Sequence, residues 1–598
     1  MNRTGSPTAP LDRARSFIGA AVMGMFMLVS RCLGLLRDIN TAAVMGLSGS
    51  MAMDAFACAF RIPNIIRRFF EEGIFGLTFI PVFSELLKTD KREARALAVR
   101  YLAGGFLFGL GLAVLLEIAA ALIWFLFQPP PGKLWYSILR FGSLMFPYVI
   151  FAVPAAQIAA VLQGLGRFRM AGFMPVLFNL VWLAVLFFVS PLGVYLPFKV
   201  PACTVSIFGV SSATLTPAGR GAVLSLAIAG AAALQFFVLF LYLRYLRRSG
   251  KLGTPDSAKE NPGEMLISVR SALRGIWRRL APAAMVILFL QVNVLLATLL
   301  AALFSGSSVP VLSAIPGVDS LFAGKMGRGA ASALYFGERL YEFPLSLVGV
   351  TVGTAFYPLL TRRALEKNRS GFAADFTAAL RWVILLAIPS GVGLILLAAP
   401  LSRLFFAHGA ASAEDSARIA RLTLCFGCGV PAFCLTAFLN RAHLALGKLK
   451  TPMWAGVFSV FLFLMLALAG VPRLGEAALA LAIALSSWGQ TAFLARGMAG
   501  EIFPAQRHIL AKTFAAAVFA SAVMACGIFL ERLFLAHPPA SFAAVPFVSE
   551  KTVSASLGIA VDLAVGILLF FAVILLCDRK KTIDTIREVM KRFFGSKG

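Results

Sequence analysis

The sequence predicts an all-α polytopic membrane protein with about fourteen transmembrane helices: two six-helix pseudo-symmetric lobes and two C-terminal helices. Three observations carry this prediction. First, 59% of the 598 residues are hydrophobic, only 14% are charged and the mean hydropathy is +0.86, which excludes an ordinary soluble globular protein. Second, apolar runs of about 20 residues, long enough to cross a ~30 Å hydrocarbon core, recur along the chain. Third, a short repeat relates the two halves. GLTFIP at 76–81 returns as GTAFYP at 353–358, an offset of 277, and LGRFR at 165–169 returns as LGKLK at 446–450, an offset of 281. The second copy begins six helices after the first. Six is even, so the copies share an orientation about an axis along the membrane normal, an arrangement suited to alternating access.

Taken in order, the first lobe has spans at 17–46, 55–87, 99–127, 136–163, 172–198 and 219–246. The second has spans at 280–305, 331–361, 375–400, 418–446, 453–471 and 475–496, and the added pair covers 508–532 and 554–577. The domain bounds follow: an N-terminal lobe at 1–246, a cytoplasmic loop at 247–279, a C-terminal lobe at 280–500, and two further helices with a basic tail at 501–598. The longest spans are expected to kink or to run past the bilayer. Two outer loops exceed a simple turn, 199–218 (rich in Ser, Thr and Pro) and 306–330 (rich in Gly and Ser). The cytoplasmic loop has a polar middle, SGKLGTPDSAKENPGE. Beyond it Arg270, Arg274 and Arg278 recur at i+4 beside Trp277, which predicts a basic amphipathic helix on the anionic inner leaflet.

The net charge of +28 invites a nucleic-acid partner, and its distribution argues against one. Of the 55 Lys and Arg residues, 36 fall in segments that alternate along the chain: the N-terminus, 88–100, 164–171, 244–279, 362–369, 441–450, 496–512 and 578–598. The intervening loops hold far fewer. This is the positive-inside pattern, and it places both termini in the cytoplasm. The first apolar run is too long for a cleavable signal and reads as a retained helix.

The eight cysteines (32, 58, 203, 425, 428, 434, 526 and 577) mostly lie in apolar helices. Cys425 and Cys428 form a CxxC inside a helix without a second ligand pair, so buried thiols are the better reading and no metal is expected. His408, His443, His508 and His537 all fall near membrane edges. No acid pair, His cluster or nucleophile elbow sits where it could serve chemistry, and no loop has the GxxxxGK[ST] spacing of an ATP site. The expectation is a transporter rather than an enzyme, without a catalytic residue or cofactor, driven by an ion gradient or the membrane potential.

Against this apolar background, residues 30–73 carry five arginines and four acids: Arg31, Arg37, Asp38, Asp54, Arg61, Arg67, Arg68, Glu71 and Glu72. Charges at membrane depth cost several kcal/mol each and usually mark a pathway. Asp54, Arg61, Arg68 and Glu72 follow intervals of 7, 7 and 4, which stacks them on one helix face, with Asn64, Arg67 and Glu71 on a neighbouring strip. Arg31 and Asp38 are seven apart on one face of the first helix, while Arg37 points elsewhere. Pro63 should kink the second helix. The corresponding helix of the second lobe offers Glu338, Arg339 and Glu342 before Pro344, with Arg339 and Glu342 spaced to pair at i,i+3. The seventh span adds only Gln291 and Asn293. Arginine binds phosphate oxygens bidentately and stays charged, so several convergent arginines suit a pyrophosphate, with the acids holding them in the empty site or forming gate ion pairs. Snorkelling or structural ion pairing would account for any one of these residues; repetition along helix faces favours the pathway for the set.

These residues also carry a resemblance. SRCLGLLRD at 30–38, MDAFACAFRIPN at 53–64, RRFFEEGIF at 67–75 and FIPVFSE at 79–85 resemble the MurJ (MviN) family, lipid II flippases of the MOP exporter superfamily. PVLFNL at 175–180, ERLYEFPLSLVGVTVGT at 338–354 and NRAHLALGKLKTP at 440–452 extend the likeness, which runs from about 17 to 500. The resemblance implies a fourteen-helix carrier in the bacterial cytoplasmic (inner) membrane. Its expected cargo is undecaprenyl-pyrophosphate-linked disaccharide-pentapeptide, moved from the cytoplasmic to the periplasmic leaflet, with membrane lipids and cell-wall synthesis enzymes as expected partners. It places substrate-binding arginines at Arg31, Arg37, Arg67 and Arg339, with Arg68 and Asn64 beside them. Gate acids fall at Asp38, Asp54 and Glu72, joined by Glu342 and by Glu338, where many relatives have Asp. Some members bind sodium through acids in the seventh and later helices; here spans 280–305 and 453–471 contain no acid, so that site is not expected. The apolar stretch 508–577 corresponds to the helices that form a lipid-tail groove in the family.

Other classes fit less well. A cation-coupled drug exporter should show cavity acids rather than an arginine excess. An O-antigen-type flippase shares the pyrophosphate, and only the motifs separate it. A membrane glycosyltransferase needs a catalytic carboxylate with polar company in a large outer loop, and the loops offer only Asp319, Glu414 and Asp415.

Overall fold

The structure, a computed structural model, describes residues 9–69, 75–190, 194–195, 199–200, 206–207, 210–211, 215–249, 262–305, 322, 325–501, 503–534 and 557–575. Among these, regular structure is almost wholly α-helical; the exceptions include two small antiparallel ladders, Val194–Tyr195 with Lys199–Val200 and Ser206–Ile207 with Val210–Ser211. The first helices are α1 (Ala9–Met45), α2 (Met51–Phe69), α3 (Phe75–Thr89), α4 (Lys91–Phe127), α5 (Leu134–Met145), α6 (Tyr148–Gly164), α7 (Phe168–Val189), α8 (Pro217–Arg248) and α9 (Pro262–Phe304). Then follow α10 (Ala330–Pro344), α11 (Thr351–Leu365), α12 (Arg369–Phe406), α13 (Ala413–Gly427), α14 (Val430–Ala445), α15 (Lys450–Leu474), α16 (Glu476–Met498), α17 (Pro504–Phe534) and α18 (Leu557–Leu575).

Among the described residues nine helical segments are long and apolar enough to cross a membrane, and eleven if the bent pairs α5–α6 and α13–α14 each count as one span. The other three expected spans fall on α1, on α2 with α3, and on α9. The chain is a multi-pass membrane protein. Several helices outrun the bilayer: α4, with 37 residues, is about 55 Å long at 1.5 Å per residue against a ~30 Å hydrocarbon core. Its first turns carry exposed Arg92, Arg95 and Arg100, and the large exposed side chains beyond them, from Phe106 to Phe127, are apolar. The basic segment holding Arg270, Arg274 and Arg278 is the start of the 43-residue α9 rather than a separate surface helix. Ser268 donates to Glu93 of α4, and Trp277 lies 6.1 Å from Phe108. Half of loop 199–218, most of loop 306–330 and most of the polar middle of the cytoplasmic loop lie outside the described residues.

The chain divides into two compact units. The first holds Met1–Asp319, Gly327–Ser332 and Gly409–Ala411; the second holds Ser320–Met326, Ala333–His408 and Ser412–Gly598. Within the first, α1 packs along α7, α4 and α8 along α6, and α9 against α2, α3 and α4. Within the second, α15 packs along α16, α14 along α16, and α12 against α13 and α17.

Each unit contains the same local sequence of devices. A 15-residue helix with an internal proline (α3 with Pro81, α11 with Pro358) leads into a long helix, then a bent pair, at 42° for α5–α6 and 50° for α13–α14. Both pairs end alike. Arg167 N–H reaches back to the Leu162 carbonyl (2.8 Å) and Lys448 N–H to the His443 carbonyl (2.9 Å), with Gly166 at φ 72° and Gly447 at φ 70° between. These are Schellman caps, and their left-handed residue favours glycine because it has no Cβ. The LGRFR/LGKLK repeat is thus the sequence of a shared helix stop.

Pro344 ends α10 in a π turn, Leu345–Val350, that leads into α11. Within it Gly349 lies so close to α14 that an added Cβ would stand 2.7 Å from the Cys434 Cα. Backbone there cannot yield cheaply. Gly349→Ala is expected to cost about 1–3 kcal/mol, measured as a lower melting temperature of the detergent-solubilised chain; an unchanged melting temperature would refute the close approach.

Candidate functional site

The arginine-rich stretch of the first unit is built on α1, α2 and α7. Arg37 of α1 is only 6% exposed and Asp38 beside it 2%. A buried guanidinium needs acceptors around its rigid fork. Arg37 finds them: its Nε (2.9 Å) and Nη2 (2.7 Å) both donate to Asp38 Oδ1, and its Nη1 donates to Asn179 Oδ1 on α7 at 3.0 Å. The guanidinium carbon also lies 4.4 Å from the ring centre of Trp182, one turn further along α7. Helical spacing directs Arg37 away from Asp38, yet the long side chain swings back and the two form a buried ion pair at 2.7 Å.

Trp182 is itself held edge-on by Phe56 (5.7 Å) and Phe60 (5.1 Å) of α2 and by Phe178 (5.9 Å) of α7. Phe178 also lies 5.9 Å from the guanidinium of Arg67, whose Nη2 donates to Asn64 Oδ1 one turn earlier at 3.0 Å. Arg61, fully buried on the same helix, donates from Nε to Thr298 Oγ1 of α9 at 2.8 Å. Arg31 is half-buried on α1. Helix α2 runs through Pro63 to Phe69 without an assigned break. The side chain of Arg68, and Glu71 and Glu72 altogether, lie outside the described residues.

Asp54 has a different setting. It is 2% exposed near the start of α2, where its Oδ2 accepts from Gly329 N–H (2.6 Å) and its Oδ1 from Ser332 N–H (2.8 Å) and Ser332 Oγ (2.6 Å). It caps the N-terminus of α10 with a full negative charge, which both the orphan N–H groups and the helix dipole favour.

In the second unit, Arg339 donates from Nη1 to Glu342 Oε2 at 2.7 Å, the i,i+3 pair, and its guanidinium lies 4.4 Å from the Tyr335 ring centre. Glu338 is fully buried. Asn179, Trp182, Thr298 and Tyr335 are not among the site residues expected from sequence, because a neutral side chain stands out less than a charge in an apolar helix. The available signal was an Asn, and an aromatic one turn away, inside an otherwise apolar helix. Among the described residues no group of three His, Cys, Asp or Glu side chains could hold a metal ion.

Three comparisons place this architecture among known proteins. A family model described as lipid II flippase MurJ matches residues 41–545. A probable lipid II flippase MurJ of Vibrio cholerae is 27% identical over 490 residues, covering 80% of this chain and 82% of the relative. The lipid II flippase MurJ of Burkholderia cenocepacia is 26% identical over 468 residues, covering 77% and 80%. Among solved structures, a lipid II flippase MurJ in an inward closed conformation is similar with TM-score 0.67 at 19% identity, covering 94% of this chain and all (100%) of that one. An inward-facing multidrug transporter of the MATE family, in the MOP superfamily, follows at TM-score 0.57 and 13% identity, covering 81% and 95%.

Proposed function

Since the chain belongs to the MurJ family of lipid II flippases, which are transporters and not enzymes, we propose that it carries the lipid-linked peptidoglycan precursor from the cytoplasmic to the periplasmic leaflet of the bacterial inner membrane by alternating access. Both termini are cytoplasmic in this reading, and an ion gradient or the membrane potential drives the cycle. Arg31, Arg37, Arg67, Arg68 and Arg339 bind the pyrophosphate, with Asn64 assisting, while Asp38, Asp54, Glu72, Glu338 and Glu342 hold the arginines or gate the path.

One observation carries this reading: Arg37 sits buried in an apolar helix bundle with its fork incompletely used. Its hydrogen bonds commit three of the five guanidinium N–H groups, two to Asp38 and one to Asn179. Two N–H groups remain for phosphate oxygens, and charge-assisted bonds of this kind are the strong ones. The Arg339–Glu342 pair offers a second guanidinium held by an acid in the same manner.

The test is depletion of the resident flippase in a bacterial host, expression of this chain, and digestion of intact cells with an externally added lipid-II-degrading toxin. Restored growth with restored toxin-accessible lipid II is expected. Growth failure with lipid II confined to the inner leaflet, despite normal membrane levels of the protein, would overturn the proposal.

A further inference from the structure

We infer that Asn179 is a positioning residue: through its side-chain amide, α7 sets the direction in which Arg37 presents its guanidinium to the pyrophosphate. This rests on the reading of Arg37 as a substrate-binding group.

Helix α7 is apolar around this position, with Phe178, Leu180, Val181 and Trp182 as neighbours in sequence. A carboxamide there is unfavourable unless it is bonded at both ends. Both ends are bonded. Asn179 Oδ1 accepts from Arg37 Nη1 at 3.0 Å, while Nδ2 donates to the Ser30 carbonyl at 2.8 Å and to Ser30 Oγ at 3.0 Å. The amide orientation is unambiguous, because guanidinium only donates and a backbone carbonyl only accepts. Turning the amide over would set N–H against N–H at one end and oxygen against oxygen at the other. The side chain is therefore locked from both sides.

The lock has a consequence for geometry. Ser30 and Arg37 are seven residues apart on α1, about 10 Å along the helix, and one amide on α7 ties both. Asp38 occupies the Nε–Nη2 edge of the guanidinium, Asn179 takes one N–H of Nη1, and Trp182 lies against a face at 4.4 Å. What remains is one N–H on each Nη. Asp38 supplies countercharge whichever way the fork turns about that edge; the neutral amide is what selects the turn.

The experiment titrates the purified full chain in detergent with undecaprenyl pyrophosphate and, separately, undecaprenyl phosphate. It compares wild type, Asn179→Leu, Asn179→Ser, Arg37→Ala and the Asn179→Leu/Arg37→Ala double variant, with melting temperature as the fold control. Asn179→Leu is expected to weaken pyrophosphate binding on the order of tenfold, the scale of one hydrogen bond to a charged group, and to weaken monophosphate binding less. In the Arg37→Ala background the same substitution should add nothing. Asn179→Ser, too short to reach Arg37 yet small enough to leave α7 packed, should reproduce the loss and covers the case in which the leucine variant fails to fold. Wild-type binding by the Asn179 variants, with binding weakened by Arg37→Ala, overturns the inference alone. An undiminished Asn179→Leu effect in the double variant does the same. Wild-type binding by Arg37→Ala overturns the inference together with the assignment of Arg37 to the substrate.

Discussion

Arg37→Lys is expected to abolish flipping in the complementation assay while the protein still accumulates in the membrane, and Arg37→Ala is expected to lose both function and part of its stability. The two outcomes differ because the side chain does two things. Its charge balances Asp38, which is 2% exposed. Deleting one partner of a buried pair typically costs about 3–5 kcal/mol, since the other charge keeps its desolvation penalty. Lysine retains the charge and so most of that compensation. What lysine lacks is the fork: an ammonium is a point charge and cannot span Asp38, Asn179 and a phosphate group together. Membrane fractionation and melting temperature report the stability effect, and toxin-accessible lipid II reports transport. Wild-type transport by Arg37→Lys would show that charge alone suffices and that the fork geometry is irrelevant.

That geometry was only partly legible in the sequence. Spans were readable because lipid is an undemanding solvent: about 20 apolar residues suffice, whatever their order. The repeat was readable for a sharper reason, since Gly166 and Gly447 occupy left-handed positions where glycine is favoured. The arginine site was readable as a list and not as an arrangement. Backbone spacing places Cβ atoms, and an arginine guanidinium lies several bonds beyond its Cβ. Arg37 shows the result, because its position on α1 directs it away from Asp38 and its side chain returns there. Asn179 is 142 residues from Arg37 in the chain, a separation that no helical periodicity bridges. Thr298 gives even less signal, since a single threonine in an apolar helix commonly bonds its own backbone, and this one does so to the Val294 carbonyl besides accepting from Arg61.

At Asp54 the helical-face position and the hydrogen bonds point to different roles. Its spacing groups it with Arg61, and family resemblance suggests a gate. Its hydrogen bonds describe an anchor: three donors, from Gly329 and Ser332, converge on one buried carboxylate at a helix start. Asp54→Ala is therefore expected to destabilise the detergent-solubilised chain by about 3–5 kcal/mol, the upper end for single substitutions, as bonds to an ionised group contribute about 1.5–3 kcal/mol each and do not add fully. Asp54→Asn should lose nearly as much despite its equal size. Both carboxylate oxygens accept backbone N–H groups, so whichever way the amide is placed, its NH2 faces a donor. Asp54→Glu keeps the charge but displaces it by one methylene, and an intermediate loss is expected. A pure gate predicts another order: all three variants melting like wild type, with transport lost in Ala and Asn. Melting temperatures measured beside toxin-accessible lipid II separate these cases. A wild-type melting temperature for Asp54→Asn would remove the anchor reading, since the buried amide would then have found acceptors that the carboxylate's present partners do not provide.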